Sequence, residues 1–375
     1  MPGSLRERPY RVLISDDQPD VLEALRLLLK GQGWQCVTAN SPAELLRLAR
    51  EDGIDLILAD LNYTRDTTSG REGMDLLAAL EAQGNTLPVV VMTAWGNIDL
   101  AVEAMRRGAC DFVQKPWDNN RLLATIRKQA EPARKRKTEL EIAANVQQKL
   151  FPRKSRRLET LDYAAHCVPA REVGGDYYDF LEVSGNQIGF VLADVSGKGV
   201  PAALLMANLQ ACFRNQPREM LERPVALLEA VNRHFHASTA AERFATLVFA
   251  LYDERTRRVR YVNCAHCPPL LARASGAVER LESTATMLGA FERWNCEEAE
   301  ITLGAGDTLL LYSDGVTEAG VESGEEFGDE RLAHTLRANR GLPAEGLVQA
   351  IVGDVGEFSA GSRSDDVTVV ALRGL

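Results

Sequence analysis

The sequence predicts two domains, an α/β doubly wound domain followed by an α+β domain. Three observations lead to this prediction. A chain of 375 residues is longer than one hydrophobic core normally fills. Strand-like and helix-like segments alternate five times between residues 10 and 130, whereas after residue 153 the strands come in clusters that helices follow. With 45% apolar and 26% charged residues, the composition is that of an ordinary globular protein.

The first domain, residues 10–130, reads as five short apolar strands, each followed by a helix. The segment after the first strand places Val21, Leu25 and Leu28 on one helical face. Ser41 is a suitable N-cap for the second helix. Such alternation implies a parallel sheet covered by helices on both faces. The expected strands are 10–14, 35–39, 56–60, 89–93 and 111–114, and the later helices are 42–50, 71–83, 98–107 and 119–130.

Polar residues stand at the carboxyl ends of these strands, namely Asp16, Asp17, Asp60, Thr93 and Lys115. Because the carboxyl ends of parallel strands open into one crevice, we expect three acids, a hydroxyl and an amine to meet there. A carboxylate can attack phosphorus when nearby cations offset the developing charge. The set therefore suits transfer of a phosphoryl group to an acid.

This segment resembles the response-regulator receiver domains, and the resemblance covers all of it. It implies a flavodoxin-like fold and a cis peptide bond at Lys115-Pro116. The loop after Asp60, L-N-Y-T-R-D-T-T-S-G, is longer than in minimal receivers and lacks their usual proline. The roles implied by the resemblance are phosphoacceptor for Asp60, Mg²⁺ ligands for Asp16, Asp17 and Asp60, phosphoryl contacts for Thr93 and Lys115, and switch aromatic for Phe112.

Residues 131–152 read as a helical linker. Ile142, Val146 and Leu150 recur every fourth residue, so this helix is amphipathic. The stripe is too short to decide between a helix that docks on its own chain and the seam of a homodimer. The basic runs 134–137 and 153–157 favour solvated linker flanks over a nucleic-acid site, because aromatic residues and a recognition motif are missing.

The second domain, residues 153–375, predicts an α+β sandwich of mostly antiparallel sheets. Its helices are expected at 200–213, 224–237 and 344–358, where Leu347, Ile351 and Val355 line one face. Its expected strands are 188–193, 244–252, 258–263, 270–272, 307–312 and 367–372.

Four aspartates stand at the edges of strand-like runs in this domain. Taken singly, an aspartate beside a glycine is usually a turn residue. Together, acids from several strand ends can converge on a hard divalent cation. They are Asp176 in G-G-D-Y-Y-D-F, Asp194 in L-A-D-V-S-G-K-G-V-P-A-A-L-L-M, Asp314 in L-L-L-Y-S-D-G-V-T-E and Asp365 in D-D-V-T-V-V-A-L.

With Y-V-N-C-A-H-C-P-P-L-L, these motifs resemble the metal-dependent Ser/Thr protein phosphatases. They are most similar to the bacterial branch typified by sporulation protein E and the stress-response regulators, and the resemblance implies a four-layer, two-metal phosphohydrolase. By position, Asp194 would bridge two Mg²⁺ or Mn²⁺ ions. Asp314 and Asp365 would hold one ion, and Asp176 with the Val195 carbonyl would hold the other.

Some positions depart from the family pattern or keep more than one interpretation. Ser196 stands where eukaryotic relatives have a histidine. Arg171 has the spacing of a phosphate contact, and a surface salt bridge is an equally good interpretation. We expect His266 to be structural. Cys264 and Cys267 lack the context of a redox or zinc site, and the sequence leaves their role open.

The resemblance implies a two-component response regulator whose output is a phosphoserine or phosphothreonine protein phosphatase controlled by phosphorylation of Asp60. The implied partners are a sensor histidine kinase or phosphotransfer protein and a phosphorylated anti-sigma-factor antagonist or similar regulator as substrate. The alternative is a non-catalytic adaptor that uses the same fold for protein binding. Retention of all four aspartates argues against that alternative.

Composition bears on other classes of partner. A net charge of −10 argues against sequence-independent binding to nucleic acid or anionic lipid. A DNA-binding regulator would need a helix-turn-helix with a basic surface, and the sequence shows neither. Apolar runs of membrane-spanning length and a signal peptide are absent from the sequence. We therefore expect a cytoplasmic protein that binds neither membrane nor nucleic acid.

Overall fold

The computed structural model describes residues 8–63, 71–93, 98–152, 158–240, 242–361 and 363–375, and the chain forms two compact units, Met1–Glu139 and Leu140–Leu375. The limits expected from the sequence, 10–130 for the first domain, 131–152 for the linker and 153–375 for the second domain, stay a prediction. Among the described residues, no helix is long and apolar enough to cross a membrane.

The first unit is built on a five-stranded parallel sheet with the order β2-β1-β3-β4-β5. This is the predicted doubly wound topology. Its strands are β1 (Arg11–Ser15), β2 (Gln35–Ala39), β3 (Leu56–Asp60), β4 (Val89–Thr93) and β5 (Asp111–Gln114). Its helices are α1 (Pro19–Lys30), α2 (Pro42–Leu48), α3 (Arg71–Ala82), α4 (Ile98–Arg106) and the start of α5 (Asn119–Gln147).

Alternate residues of the strands supply the two cores of this unit. Leu13 packs with residues of α2, α3 and α4 on one face of the sheet. Val12 and Ile14 pack on the other face with residues of α1 and α5. Because both faces are covered, the central strands β3 and β4 are buried along their whole length.

The helix α5 is longer than the sequence predicts. A helix over 119–130 and a separate one after Pro132 were expected, but α5 continues through Pro132 to Gln147. A proline inside a helix frees the carbonyl four residues earlier, here that of Lys128. Pro132 and Lys128 are both exposed, so water can bind this carbonyl and the helix need not end.

The second unit contains two antiparallel five-stranded sheets. The first has the order β13-β10-β9-β8-β7, and the second has the order β12-β11-β14-β15-β6. The first is formed by β7 (Tyr177–Glu182), β8 (Gln187–Val195), β9 (Ala245–Asp253), β10 (Arg258–Cys264) and β13 (Ala299–Thr302). The second is formed by β6 (Leu161–Val168), β11 (Leu270–Ala272), β12 (Val278–Arg280), β14 (Thr308–Tyr312) and β15 (Val367–Gly374).

The two sheets pack face to face, and helices cover their outer faces. Phe190 and Leu311 belong to the core between the sheets. Phe213 of α6 and Phe249 belong to the core under the first helical layer, whereas Ile351 of α11 and Val369 belong to the core under the second. The result is the predicted four-layer sandwich. The helices are α6 (Val200–Arg214), α7 (Arg218–Leu221), α8 (Pro224–Ser238), α9 (Asp314–Thr317), α10 (Gly328–Ala338) and α11 (Ala344–Phe358).

Candidate active site

The crevice of the first unit brings together the polar residues that the sequence places at its strand ends. Carboxylate oxygens of Asp16, Asp17 and Asp60 lie within 4.8 Å of one another, the separation expected of ligands to a single metal ion. The Nζ atom of Lys115 lies 2.6 Å from Asp16 Oδ2 and 2.9 Å from Asp60 Oδ2. Thr93, at the end of β4, is buried.

Burial raises the pKa of Asp60, and the hydrogen bond and charge of Lys115 act against this rise. Lys115 therefore stabilises the charged carboxylate of Asp60, which is the form that can attack phosphorus. The Lys115-Pro116 peptide bond is cis, and Phe112 packs at the edge of the core that faces α2, α3 and α4. The long loop after Asp60 lies outside the described residues from position 64 onward.

The four aspartates of the second unit come from the same end of two different sheets. Asp194 is the penultimate residue of β8, and Asp176 directly precedes β7. Because Tyr177 pairs with Ala193, the next positions along this antiparallel register are Asp176 and Asp194. Asp314 follows β14 and Asp365 precedes β15, and these two strands are neighbours in the second sheet.

Close backbone contacts explain why glycines accompany these acids. A Cβ atom at Gly175 would lie 2.9 Å from the Val195 carbonyl oxygen and 3.5 Å from Asp194 Oδ1. A Cβ atom at Gly315 would lie 2.1 Å from the carbonyl oxygen of Asp366. Larger residues at either position would push the two acidic loops apart. The G-G-D and D-G motifs thus keep the acids close together.

Asp366 holds the loop of Asp176 in place, a role that was not predicted from the sequence. Its carboxylate accepts hydrogen bonds from the backbone N–H groups of Ala170 at 2.7 Å, Gly175 at 2.7 Å and Asp176 at 3.3 Å. The hydroxyl of Thr368 donates to Asp176 Oδ2. The second acid of the D-D-V-T motif was the available signal, and we infer that it positions Asp176.

Like charges dominate the electrostatics of this cluster. Burial, followed by the charges of Asp314 and Asp365, raises the pKa of Asp194 to about 7. Burial and the charge of Asp194 raise the pKa of Asp176 well above its usual range. A divalent cation would relieve this repulsion, and carboxylates with a backbone carbonyl are the hard oxygen donors that Mg²⁺ and Mn²⁺ prefer. The residues therefore fit the metal ions that the resemblance implies.

The turn between β8 and α6 carries a cation, Lys198, whose role was not predicted from the sequence. Lys198 Nζ lies 2.8 Å from Asp365 Oδ2 and donates to the Ser364 carbonyl oxygen at 2.8 Å. Arg171 is exposed, and one of its guanidinium nitrogens would lie 3.9 Å from a Cβ atom at Gly199 in the same turn. Two cations thus border the acidic cluster.

The remaining candidates have structural partners. Ser196 Oγ accepts a hydrogen bond from the Phe244 N–H at 3.1 Å, so its hydroxyl secures the end of β8 against the start of β9. His266 is buried, with Nδ1 2.8 Å from the hydroxyl of Thr246, the residue that pairs with Asp194. This placement agrees with the structural role expected of His266.

The two cysteines of the C-A-H-C motif belong to different hydrophobic cores. Cys264 is buried under the first helical layer, and Cys267 packs against the core under the second. Burial raises the pKa of both thiols, to about 12 for Cys267 and well above its usual range for Cys264. Two neutral thiols in separate cores favour packing roles over a redox or zinc site.

The end of α5 contacts the loop that carries Asp176. The side-chain amide of Gln147 donates to the Gly174 carbonyl oxygen at 2.8 Å and accepts from the Gly174 N–H at 3.1 Å. Gln147 is only 9% exposed, whereas Ile142 and Val146 are 59% and 56% exposed. One face of the linker therefore docks on its own unit, and a homodimer seam, the alternative that the sequence leaves open, would use the other face.

Two family profiles match the chain. The profile described as Stage II sporulation protein E matches residues 184–374, just over half of the chain, and the response regulator receiver profile matches residues 12–127. The phosphoserine phosphatase RsbU of Bacillus subtilis is 31% identical over 238 residues, covering 63% of this chain and 70% of the relative. The phosphoserine phosphatase RsbP of the same organism is 29% identical, covering 39% of this chain and 37% of the relative.

A solved structure shows the same fold in the second unit. The SiaA-PP2C domain of Pseudomonas aeruginosa aligns with a TM-score of 0.57 and 24% identity, covering 64% of this chain and 97% of that domain. This likeness and the family profiles agree with the sandwich and the receiver fold predicted from the sequence. The chain therefore belongs to the SpoIIE family of PP2C-type phosphatases, and a response-regulator receiver domain precedes its phosphatase domain.

Proposed function

We propose that the protein is a Mg²⁺- or Mn²⁺-dependent phosphatase that hydrolyses phosphoserine or phosphothreonine on a protein and is controlled by phosphorylation of Asp60. One observation carries this proposal. Four aspartates from the ends of two sheets lie close enough for their charges to act on one another, and burial together with the charges of Asp314 and Asp365 raises the pKa of Asp194 to about 7. Such a cluster is costly in a folded protein unless cations balance it.

Each aspartate has a distinct task in this proposal. Asp194 would be the ligand that two ions share, and Asp314 and Asp365, whose charges act on it, would hold one of them. Asp176 and the Val195 carbonyl bind on the other side, and Asp366 and Thr368 keep Asp176 oriented. When bound, two such ions activate a water for in-line attack on phosphorus and offset charge on the phosphoryl oxygens.

The substrate class rests on the relatives. RsbU and RsbP are named phosphoserine phosphatases. By analogy, the proposed substrate is a phosphorylated anti-sigma-factor antagonist or a similar regulator. Arg171 and Lys198 are exposed cations beside the acidic cluster, which suits a phosphorylated side chain presented by another protein.

The receiver domain supplies the proposed control. A sensor histidine kinase or phosphotransfer protein would phosphorylate Asp60, with Asp16 and Asp17 holding Mg²⁺ and with Thr93 and Lys115 on the phosphoryl oxygens. Its last helix, α5, ends at Gln147, which is hydrogen-bonded two residues away from Asp176. A change in this helix would therefore reach a proposed metal ligand through a single side chain.

The test of catalysis compares the full-length protein with its Asp194→Asn variant on a phosphoserine peptide in Mn²⁺. We expect hydrolysis by the wild type and a loss of at least about a thousandfold in the variant, because both ions lose their shared ligand. Equal rates would refute the site, and a wild type that binds phosphopeptide without hydrolysing it would favour the adaptor.

The test of control compares rates with and without beryllofluoride, an acyl-phosphate mimic. We expect the rate to change in the wild type and to stay constant in Asp60→Asn, which keeps the side chain's size but lacks the nucleophile. If the wild type has the same rate with and without the mimic, phosphorylation of the receiver domain does not control the phosphatase domain, and the proposed control is refuted.

A further inference from the structure

Lys198 joins the two loops that close the acidic cluster. It lies in the turn between β8 and α6, and its ammonium group spans to the loop before β15, where it contacts Asp365 Oδ2 and the Ser364 carbonyl oxygen, each at 2.8 Å. Its side chain is 49% exposed, whereas that of Asp365 is 29% exposed. The lysine therefore reaches from solvent onto a proposed metal ligand.

This ion pair lies inside a field of like charges. Asp314 and Asp365 both raise the pKa of Asp194, and the charge of Lys198 opposes that rise. Lys198 is thus a monovalent cation that neutralises part of the same charge that a divalent cation would neutralise. Its four-carbon chain is flexible and its head is half exposed, so it can leave Asp365 without unfolding any element.

A second cation lies beside it. The charge of Arg171 acts on Lys198, and the Arg171 guanidinium borders the same turn. Arg243 has a different role from Lys198 and Arg171: it donates to the Ser196 carbonyl oxygen at 3.0 Å and so stabilises the backbone of the turn. Once released from Asp365, the Lys198 ammonium would be exposed to solvent next to the Arg171 guanidinium. Two adjacent cations favour binding of a dianion such as a phosphate group.

We infer that Lys198 is a displaceable cation, bound to Asp365 in the metal-free enzyme and released by metal binding to contact the phosphoryl oxygens of the substrate. This inference rests on the proposed function. Lys198 competes with metal for Asp365 and cooperates with Arg171 in binding phosphate. The same side chain therefore weakens metal binding and strengthens substrate binding.

The two effects of opposite sign make a sharp test. Mn²⁺ binding to the full-length protein is measured by calorimetry in phosphate-free buffer for the wild type, Lys198→Met and Lys198→Arg, with Asp194→Asn giving the binding that belongs to the receiver site. Inhibition by inorganic phosphate is then measured for the same Mn²⁺-loaded proteins. Methionine keeps the length of the side chain without its charge, and arginine keeps the charge.

We expect Lys198→Met to bind Mn²⁺ about fivefold more tightly and inorganic phosphate about fivefold more weakly, with Lys198→Arg close to the wild type in both. These factors correspond to the upper range of partly exposed ion pairs. Mn²⁺ affinity that is unchanged or weaker in Lys198→Met would overturn the competition, and unchanged inhibition by phosphate would overturn the contact with substrate.

These outcomes differ from a failure of the proposed function. If the wild type binds no more Mn²⁺ than Asp194→Asn, which keeps the receiver site, both the phosphatase metal site and this inference fail together. If the wild type and Lys198→Met bind Mn²⁺ equally while Asp194→Asn binds fewer ions, the metal site stands and only the role of Lys198 is overturned.

Discussion

Replacing Gln147 by alanine should loosen the loop that carries Asp176. The Gln147 amide makes two hydrogen bonds to the backbone of Gly174, and both lie in a buried environment. A net contribution of about 1 kcal/mol for each bond gives a total of about 2 kcal/mol, and the orphaned N–H and C=O of Gly174 would add to this cost. An opening free energy lowered by 2 kcal/mol corresponds to about a 30-fold larger open population.

Amide hydrogen exchange of the peptide that contains Gly174, Gly175 and Asp176 measures this directly. We expect exchange about 30-fold faster in Gln147→Ala than in the wild type, together with weaker Mn²⁺ binding because Asp176 loses its fixed position. The matched control is Gln148→Ala, because the neighbouring glutamine is exposed and its loss should leave exchange unchanged. Equal exchange in Gln147→Ala and the wild type would refute the view that the linker holds this loop.

Three further predictions concern stability. Burial lowers the pKa of His266 to about 4, below its usual 6.5, so the contribution of His266 to the free energy of unfolding should fall by about 3 kcal/mol as the pH falls from 6.5 to 4, because only the unfolded chain takes up the proton there. Chemical denaturation should therefore show the wild type losing about 3 kcal/mol relative to His266→Gln across this range, since the titrating carboxylates, including Asp194, are common to both proteins. Arg214→Ala should cost about 2 kcal/mol in the same assay, because it leaves the fully buried carboxylate of Asp179 with only the Tyr177 hydroxyl as its side-chain donor, and an unchanged midpoint would contradict this. Mn²⁺ should raise the melting temperature and EDTA should reverse the rise, and the rise should be smaller in Asp194→Asn, which keeps only the receiver site.

The first unit was the more predictable from sequence. The strands 35–39, 56–60, 89–93 and 111–114 coincide with β2 to β5, because strands buried on both faces read as apolar runs bounded by turns. In the second unit β6, β7, β12 and β13 were missed, since segments such as L-D-Y-A-A-H-C-V mix polar and apolar residues without a clear period, and β12 and β13 are only three and four residues long. The continuity of α5 was missed because Pro132 normally ends a helix.

The candidate site divides in the same way. The acids at the strand ends could be named from their motifs, since each motif is a local pattern. The roles of Gln147, Lys198 and Asp366 could not be predicted in this way, although Asp366 stands in a recognised motif, because they depend on contacts with segments that are 27, 166 and more than 180 residues away in sequence. Such contacts follow from how two sheets pack, which no local pattern encodes.

The arrangement of divalent cations tests the central claim most directly. Crystals of the full-length protein soaked in Mn²⁺ should show two anomalous peaks roughly 4 Å apart, with Asp194 between them, Asp314 and Asp365 on one peak, and Asp176 on the other. An anomalous map that shows no manganese bound by these four carboxylates, under conditions where the wild type hydrolyses phosphoserine, would contradict the account.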